Sequence, residues 1–238
     1  AEIDRSAKRL RTEGGDTISY ERLVLATGCL PVQLPIPGNQ LGGVFSVKKN
    51  VPHLEKMLSE LDTASNLVIV GGGFIGVELA DECKKRWDMD ITIVEMLPQP
   101  LQLAFDREFC REARSLLESR GVDIITGARV EKFLGTDRVS GVQLEGGREL
   151  PADAVIQSVG ARANTTLAEN TDLETGPTGA IRVDRAMRTS DSSVFACGDC
   201  AEKVSFFTGE PSPLKLASIA TTEARVAGAN LFGITRAY

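Results

Sequence analysis

Aromatic residues are scarce in this 238-residue chain: nine Phe, two Tyr and one Trp. That excludes a base-stacking surface for nucleic acid. Basic residues do not dominate either. Lys and Arg number 27 against 33 Asp and Glu, a formal charge of −6, the wrong sign for holding a phosphate backbone. A single histidine, His53, is present, so a histidine-rich metal site is excluded and a Ser-His-Asp triad has one residue to draw on. Five cysteines are sparse and odd in number, which speaks against a disulfide scaffold and for a reducing, cytoplasmic setting. No apolar run reaches the ~18 residues that a membrane span needs. The first residues, Ala1 to Arg11, carry charges without an apolar core and are not read as a signal peptide. At 42 % apolar and 25 % charged residues, what remains is an ordinary globular composition, long enough for one or two domains.

Patterning then gives the order of elements. Residues 1–28 read as short antiparallel strands, the last of them Leu23-Val24-Leu25-Ala26, stopped by Thr27-Gly28. Pro31, Pro35, Pro37 and Gly38 make a stiff extended crossing, expected as an inter-domain linker. A helix begins near Pro52, with Leu54, Met57, Leu58 and Leu61 on one face. Leu67-Val68-Ile69-Val70 is an apolar run suited to a strand buried on both faces. A helix with Gly76, Leu79, Ala80, Cys83 and Trp87 along one stripe follows, then a strand at Ile91–Val94. Asp106 is placed to cap a further helix with Phe109, Ala113, Leu116 and Leu117 inward, and Val122–Thr126 is a third strand. This β–α–β–α–β order is that of a doubly wound sheet. Residues 129–157 instead alternate around Gly-bearing turns as an antiparallel meander. Buried runs return at Ala154–Val159 and Ser192–Cys197, and a helix is expected over Leu214–Leu231.

The most specific signal is Gly71-Gly72-Gly73-Phe74-Ile75-Gly76, a G-x-G-x-x-G between a predicted strand and a predicted helix. Gly71 allows the tight turn, Gly73 lets a pyrophosphate approach the backbone, and Gly76 lets helix and strand pack closely. The pyrophosphate would face the helix N-terminus. Glu95 ends the next strand, 19 residues after Gly76, where a carboxylate accepts from a ribose 2′-OH and repels a 2′-phosphate. No Arg or Lys lies between Glu95 and Ala104. These features favour NAD(H) over NADP(H).

Four motifs in order then resemble one family. They are Leu23-Val24-Leu25-Ala26-Thr27-Gly28, the glycine motif with Glu78 after it, Ala154–Thr165 containing Gly160, and Val194-Phe195-Ala196-Cys197-Gly198-Asp199. Together they resemble the FAD-dependent pyridine nucleotide–disulfide oxidoreductases, in the branch of NADH oxidases, NADH peroxidases and coenzyme A-disulfide reductases. The resemblance implies an α/β fold: a Rossmann-like NAD domain in three layers with a β-meander (residues 44–164), inserted into a partial FAD-binding domain (residues 1–43 and 165–238). It implies that Thr27 and Gly28 lie along the flavin nucleotide and that Asp199 bonds the ribityl chain. Phe74 would stack over the nicotinamide site with Glu78 near it, and Leu216-Ala217-Ser218 would pass the flavin ring. NADH would pass hydride to FAD, and FAD would reduce a small-molecule or redox-protein acceptor. The full-length enzyme would be a homodimer, without a nucleic-acid or membrane partner.

Several family features are missing from the sequence. No glycine motif for the FAD pyrophosphate precedes residue 18, and Gly14-Gly15 follows no buried strand. The family's early redox cysteine and its C-terminal dimerisation domain have no counterpart. The chain therefore reads as the interior of a longer enzyme, and no catalytic residue is assigned within it. The alternative function is an isolated NAD(H)-binding fragment without catalysis. A simple dehydrogenase is disfavoured by the meander and by Gly198-Asp199. Cys197-Gly198-Asp199-Cys200 is formally C-x-x-C, but it ends a strand rather than opening a helix and encloses a carboxylate, so it is read as redox-silent.

Overall fold

In the computed structural model, which describes residues 1–238, the chain divides into two units. One is Pro31–Ala161; the other joins Ala1–Leu30 to Arg162–Tyr238. The first stretch contains β1 (Glu2–Asp4), β2 (Arg9–Arg11), β3 (Thr17–Ser19) and β4 (Leu23–Leu25), with β5 (Cys29–Pro31) at the crossing. Next come β6 (Val44–Ser46), α1 (Val51–Leu61), β7 (Asn66–Val70), α2 (Phe74–Arg86), β8 (Asp90–Glu95), α3 (Arg107–Ser119) and β9 (Val122–Thr126). They are followed by β10 (Val130–Gly135), β11 (Val139–Leu144), β12 (Glu149–Pro151) and β13 (Ala154–Gln157). The return stretch holds β14 (Ala161–Ala163), α4 (Thr166–Glu169), β15 (Val194–Ala196), β16 (Lys203–Val204), β17 (Pro211–Ser212) and α5 (Ala217–Leu231).

The 31–161 unit is a three-layer α/β structure. Its centre is a five-stranded sheet in the order β6-β13-β7-β8-β9, parallel throughout. Alternation along β7 decides what each face meets. Leu67 and Ile69 pack with Met57 and Leu61 of α1, Ala80 and Cys83 of α2 and Leu117 of α3. Val68 and Val70 pack with Phe133, Val142 and Leu150 of the antiparallel β10-β11-β12 meander. Both faces are covered, as a parallel sheet requires. The α2 stripe is as expected, with Gly76, Ala80 and Cys83 buried. Asn50 caps α1 by accepting from the His53 amide, and the His53 ring meets the Ser46 carbonyl at 2.7 Å. The one histidine is thus a local structural residue at the foot of α1.

Three expectations need correction. The proline-rich stretch is not a linker outside the nucleotide domain. Leu34, Ile36 and Leu41 pack against the meander core, and the Phe133 amide donates to the Pro37 carbonyl. Apolar residues between the prolines make it a strap, so the unit starts at Pro31 instead of residue 44 and ends at Ala161 instead of residue 164. The inward face of α3 is rotated by about one residue step. Cys110 and Leu117 are buried, whereas Phe109 and Leu116 are 62 % and 52 % exposed. Positions 110 and 117 lie seven apart on one narrow stripe, and one helical sheet contact can bury only that stripe. Finally, β4 is not part of the antiparallel set. Only β1-β2-β3 is antiparallel, while β4 pairs parallel with β15, Leu23 opposite Val194.

The other unit buries Leu25, Ile181, Val194 and Ala196 around that parallel pair. The turn before β15 is held by Asp191, which accepts from the Ser193 amide and hydroxyl and from Arg5 Nε at 2.8–2.9 Å. These bonds, the Ser193 amide foremost, hold its carboxyl down at about 2 against an ordinary 3.8. Because the folded value lies below the unfolded one, the stabilisation is complete above the unfolded pKa and fades as pH falls toward the folded one. Asp191→Asn is expected to cost about 2 kcal/mol at pH 7 and about half that at pH 3. Urea unfolding of both proteins at the two pH values measures the gap; an unchanged gap at pH 3 would disprove the assignment.

Candidate functional site

The glycine turn sits at the carboxyl end of β7. A Cβ on Gly76 would overlap the Gly71 carbonyl oxygen and lie 2.7 Å from Ser158 Oγ, so only glycine lets α2 start this close to the sheet. Gly71 itself has φ +104°. The polar backbone of the first two glycines is fully engaged by protein. Gly71 N–H donates to the Val94 carbonyl, and the Gly71 carbonyl accepts from Ser158 Oγ at 2.8 Å. Gly72 N–H donates to Glu95 Oε2 at 2.6 Å, and the Gly72 carbonyl accepts from Leu101 N–H at 2.8 Å.

Beyond them the pattern reverses. The first helical bond runs from Val77 N–H to the Gly73 carbonyl, and no side chain caps α2. The N–H groups of Gly73, Phe74, Ile75 and Gly76 therefore have no protein acceptor, at the positive end of a 13-residue helix. A Cβ built on Gly73 meets nothing within 4 Å, and the same is true of Gly160, which has φ +105°. Ungrouped amides over open space fit an anionic group; the residues present suit a dinucleotide pyrophosphate.

Glu95 lies where the spacing puts it, at the end of β8 beside this turn, but it is 7 % exposed. Its Oε1 accepts from Leu97 N–H at 2.7 Å, so each carboxylate oxygen already holds a backbone amide. The segment after it is fastened to the turn through Leu101, which takes φ +60°. Phe105 closes that segment and meets Phe74 edge to face, with ring centroids 5.6 Å apart. Phe74, Ile75 and Glu78 are all exposed on the first turns of α2.

The remaining sequence-derived residues lie in the other unit. Thr27 Oγ1 donates to the Asn164 carbonyl at 2.6 Å, and the Gly28 carbonyl accepts from Asn164 N–H. Asp199 occupies a 3₁₀ turn, Gly198–Cys200, directly after β15, and accepts from Cys29 Sγ at 3.1 Å. Thr27, Gly28 and Asp199 thus follow the carboxyl ends of two paired parallel strands, the usual ligand edge of an α/β sheet. Cys197 and Cys200 are buried. Burial, and to a smaller extent Cys200 and Glu223, pushes the Cys197 thiol above its ordinary value. That is the opposite of a reactive pair. Cys83 in the other unit is likewise pushed up to about 11 by burial.

Sequence reasoning missed a buried ion pair beneath the Asp199 turn. Lys203 Nζ donates to Glu223 Oε2, to the Gly198 carbonyl and to the Ala201 carbonyl at 2.9, 2.6 and 2.9 Å. Glu223 Oε2 also accepts from Gly198 N–H at 2.8 Å. Both polar groups of Gly198 are therefore held by this pair. A signal existed: Glu223 stands on the same α5 stripe as the buried Val226, Ala227 and Asn230, where an acid needs a partner.

Residues 1–224 match the family model described as pyridine nucleotide-disulphide oxidoreductase. The chain belongs to that family. Within it, the chain is 34 % identical over 219 residues to an NADH oxidase of Methanocaldococcus jannaschii, covering 91 % of this chain and 48 % of the relative. It is 32 % identical over 239 residues to the rhodocoxin reductase of Rhodococcus erythropolis, covering 99 % and 55 %. The solved NAD-dependent persulfide reductase from A. fulgidus superposes with a TM-score of 0.94 at 36 % identity, covering 100 % of this chain and 44 % of that one. This pyridine nucleotide-disulphide oxidoreductase chain spans about half the length of the relatives it matches.

Lys203→Met leaves a family member with a buried, half-partnered glutamate. Expected destabilisation is about 3–5 kcal/mol, whereas Lys203→Met combined with Glu223→Leu costs clearly less than the sum of the single changes. Denaturant unfolding of the three variants tests this; simple additivity would show that the two side chains do not act as a pair.

Proposed function

We propose that the chain is the nucleotide-handling core of an FAD-dependent NADH oxidoreductase. The observation that carries this reading is the switch in the glycine turn. Every polar group of Gly71 and Gly72 is bonded to protein, whereas the N–H groups of Gly73, Phe74, Ile75 and Gly76 have no protein acceptor and the space beside Gly73 is open. In the complete enzyme, FAD held along Thr27, Gly28 and Asp199 would supply the redox chemistry that links NADH on the glycine turn to an acceptor such as oxygen, a peroxide, a disulfide or a redox protein. The rhodocoxin reductase relative supports the last of these acceptor classes.

The residues of this chain supply binding and orientation. The first turn of α2 holds the pyrophosphate with Gly73 beneath it. Glu95 faces the adenosine ribose and disfavours a 2′-phosphate through its charge. Phe74 and Glu78, exposed on the first turns of the helix, border the nicotinamide, with Gly160 leaving room on the sheet side. Thr27 and Gly28 run along the flavin nucleotide, and Asp199, next to the Gly198 backbone that Lys203 and Glu223 hold, accepts from the ribityl chain.

NADH titration followed by a melting-temperature rise is the direct test, with NADPH expected to bind at least about ten-fold more weakly, from one lost charged hydrogen bond and a like-charge contact. Gly73→Val fits the backbone without strain, since φ is −77° and the space is open. It should weaken NADH by about 100-fold or more through loss of two charge-assisted bonds. Equal affinity of the unmutated chain for both nucleotides, or normal NADH binding by the valine variant, sinks the assignment.

A visible spectrum separates this reading from that of a plain NAD(H)-binding module. The 238 residues contain one G-x-G-x-x-G turn, and it serves NADH. The purified chain is therefore expected to be colourless, with FAD retained only when the rest of the enzyme is present. Flavin absorbance that survives gel filtration would refute that expectation.

A further inference from the structure

Glu95 does more in this structure than the spacing rule asks of it. An acid whose task is to meet a ribose hydroxyl needs only reach and charge. This one is 7 % exposed, and both oxygens are committed to backbone amides on opposite sides of the turn: Oε2 to Gly72 at 2.6 Å and Oε1 to Leu97 at 2.7 Å. Gly72 is buried and packs closely here, since a Cβ on it would come within 3.1–3.2 Å of Glu95 and Pro100. The carbonyl of the same glycine is taken by Leu101 N–H, a residue held at φ +60°, a conformation that bulky side chains rarely adopt. The Glu95–Leu101 segment therefore grips both polar groups of Gly72.

We infer that Glu95 is a positioning residue for the glycine turn, and that through Gly72 it sets where the free N–H groups of Gly73 and Phe74 point. An amide that loses a carboxylate acceptor inside a packed turn is left without a partner, and the turn is then free to rotate its unpaired N–H groups away from the pyrophosphate. Charge reversal at this position consequently removes binding of NADH and NADPH alike and does not exchange one for the other.

The inference rests on the proposed nucleotide site only for its ligand arm. The first measurement needs no ligand. In the free chain, amide exchange at Gly71 and Gly72, the turn amides that hold protein acceptors, is expected to quicken by about ten-fold or more in Glu95→Gln. Glu95→Asp, which keeps the charge and loses the reach, should behave the same way. Exchange in the interior of β7 and α2 should stay unchanged, which shows that the variants fold. The second measurement compares ADP with 2′,3′-dideoxy-ADP, which offers the pyrophosphate without ribose hydroxyls. 2′,3′-Dideoxy-ADP is expected to lose about ten-fold in Glu95→Gln through the turn alone, and ADP at least as much. Weakening confined to ADP, or unaltered exchange at Gly71 and Gly72, would overturn the inference and leave Glu95 as a ribose contact alone. Should the unmutated chain bind neither nucleotide, the proposed function falls, while the exchange result still decides the role of Glu95.

Discussion

The approach of α2 to the end of β7 is the constraint from which the rest of the nucleotide unit follows. Bare glycine at position 76 lets the first turn of the helix sit against the Gly71 carbonyl and Ser158. With the helix that close, its unpaired N–H groups open at the carboxyl edge of the sheet, beside Glu95 at the end of β8. Gly71 must then turn with positive φ, and its carbonyl needs the hydroxyl of Ser158, the residue that follows β13. The ends of two neighbouring strands of the sheet thus supply side chains to one turn. Larger residues at position 76 would separate helix and sheet and undo these contacts together.

The two units solve the same problem with the same means. In each, a parallel strand ends in a glycine turn expected to carry nucleotide. In each, a buried glutamate accepts the N–H of a glycine in that turn: Glu95 for Gly72, Glu223 for Gly198. The partners differ. Glu95 satisfies its second oxygen with Leu97 N–H. Glu223 balances its charge with Lys203, which also takes the Gly198 carbonyl. A carboxylate buried next to an amide is strongly oriented, because leaving either one alone carries a large desolvation penalty.

Most of this architecture was legible from residue pattern. The buried run at 67–70, the glycine turn, the stripe on α2 and the meander at 130–151 each obey a period or a local steric rule, and each appears in the structure. Where tertiary packing decides, the reading slipped. Phe109 looked like a core residue by type, yet the contact of α3 with the sheet buries Cys110 instead. The prolines at 31–37 read as a linker because proline stiffens a chain; Leu34 and Ile36 between them and Leu41 beyond them bind the stretch to the meander. The parallel partner of β4 lies in residues 194–196, out of reach of any local rule. Among the candidate site residues, the glycines and Glu95 follow from spacing. Ser158, Leu101 and Lys203 act through tertiary contacts that leave no periodic trace, whereas Glu223 leaves one, its place on the buried α5 stripe.

The pairing of Leu23 with Val194 has a consequence for how the polypeptide reaches this structure. All of Pro31–Ala161 lies between the two strands, and that stretch has a complete parallel sheet, two covered faces and its own cores. During synthesis it emerges and can condense while β4 still waits for a mate. The waiting strand carries Leu23, Val24 and Leu25, an apolar edge of the kind that attracts the wrong neighbour. Early collapse of the inserted unit shortens the effective loop that must later close, since a folded insert brings its two ends together more cheaply than a random coil of the same length. Folding order is thereby written into the connectivity: the inserted body first, the split one around it.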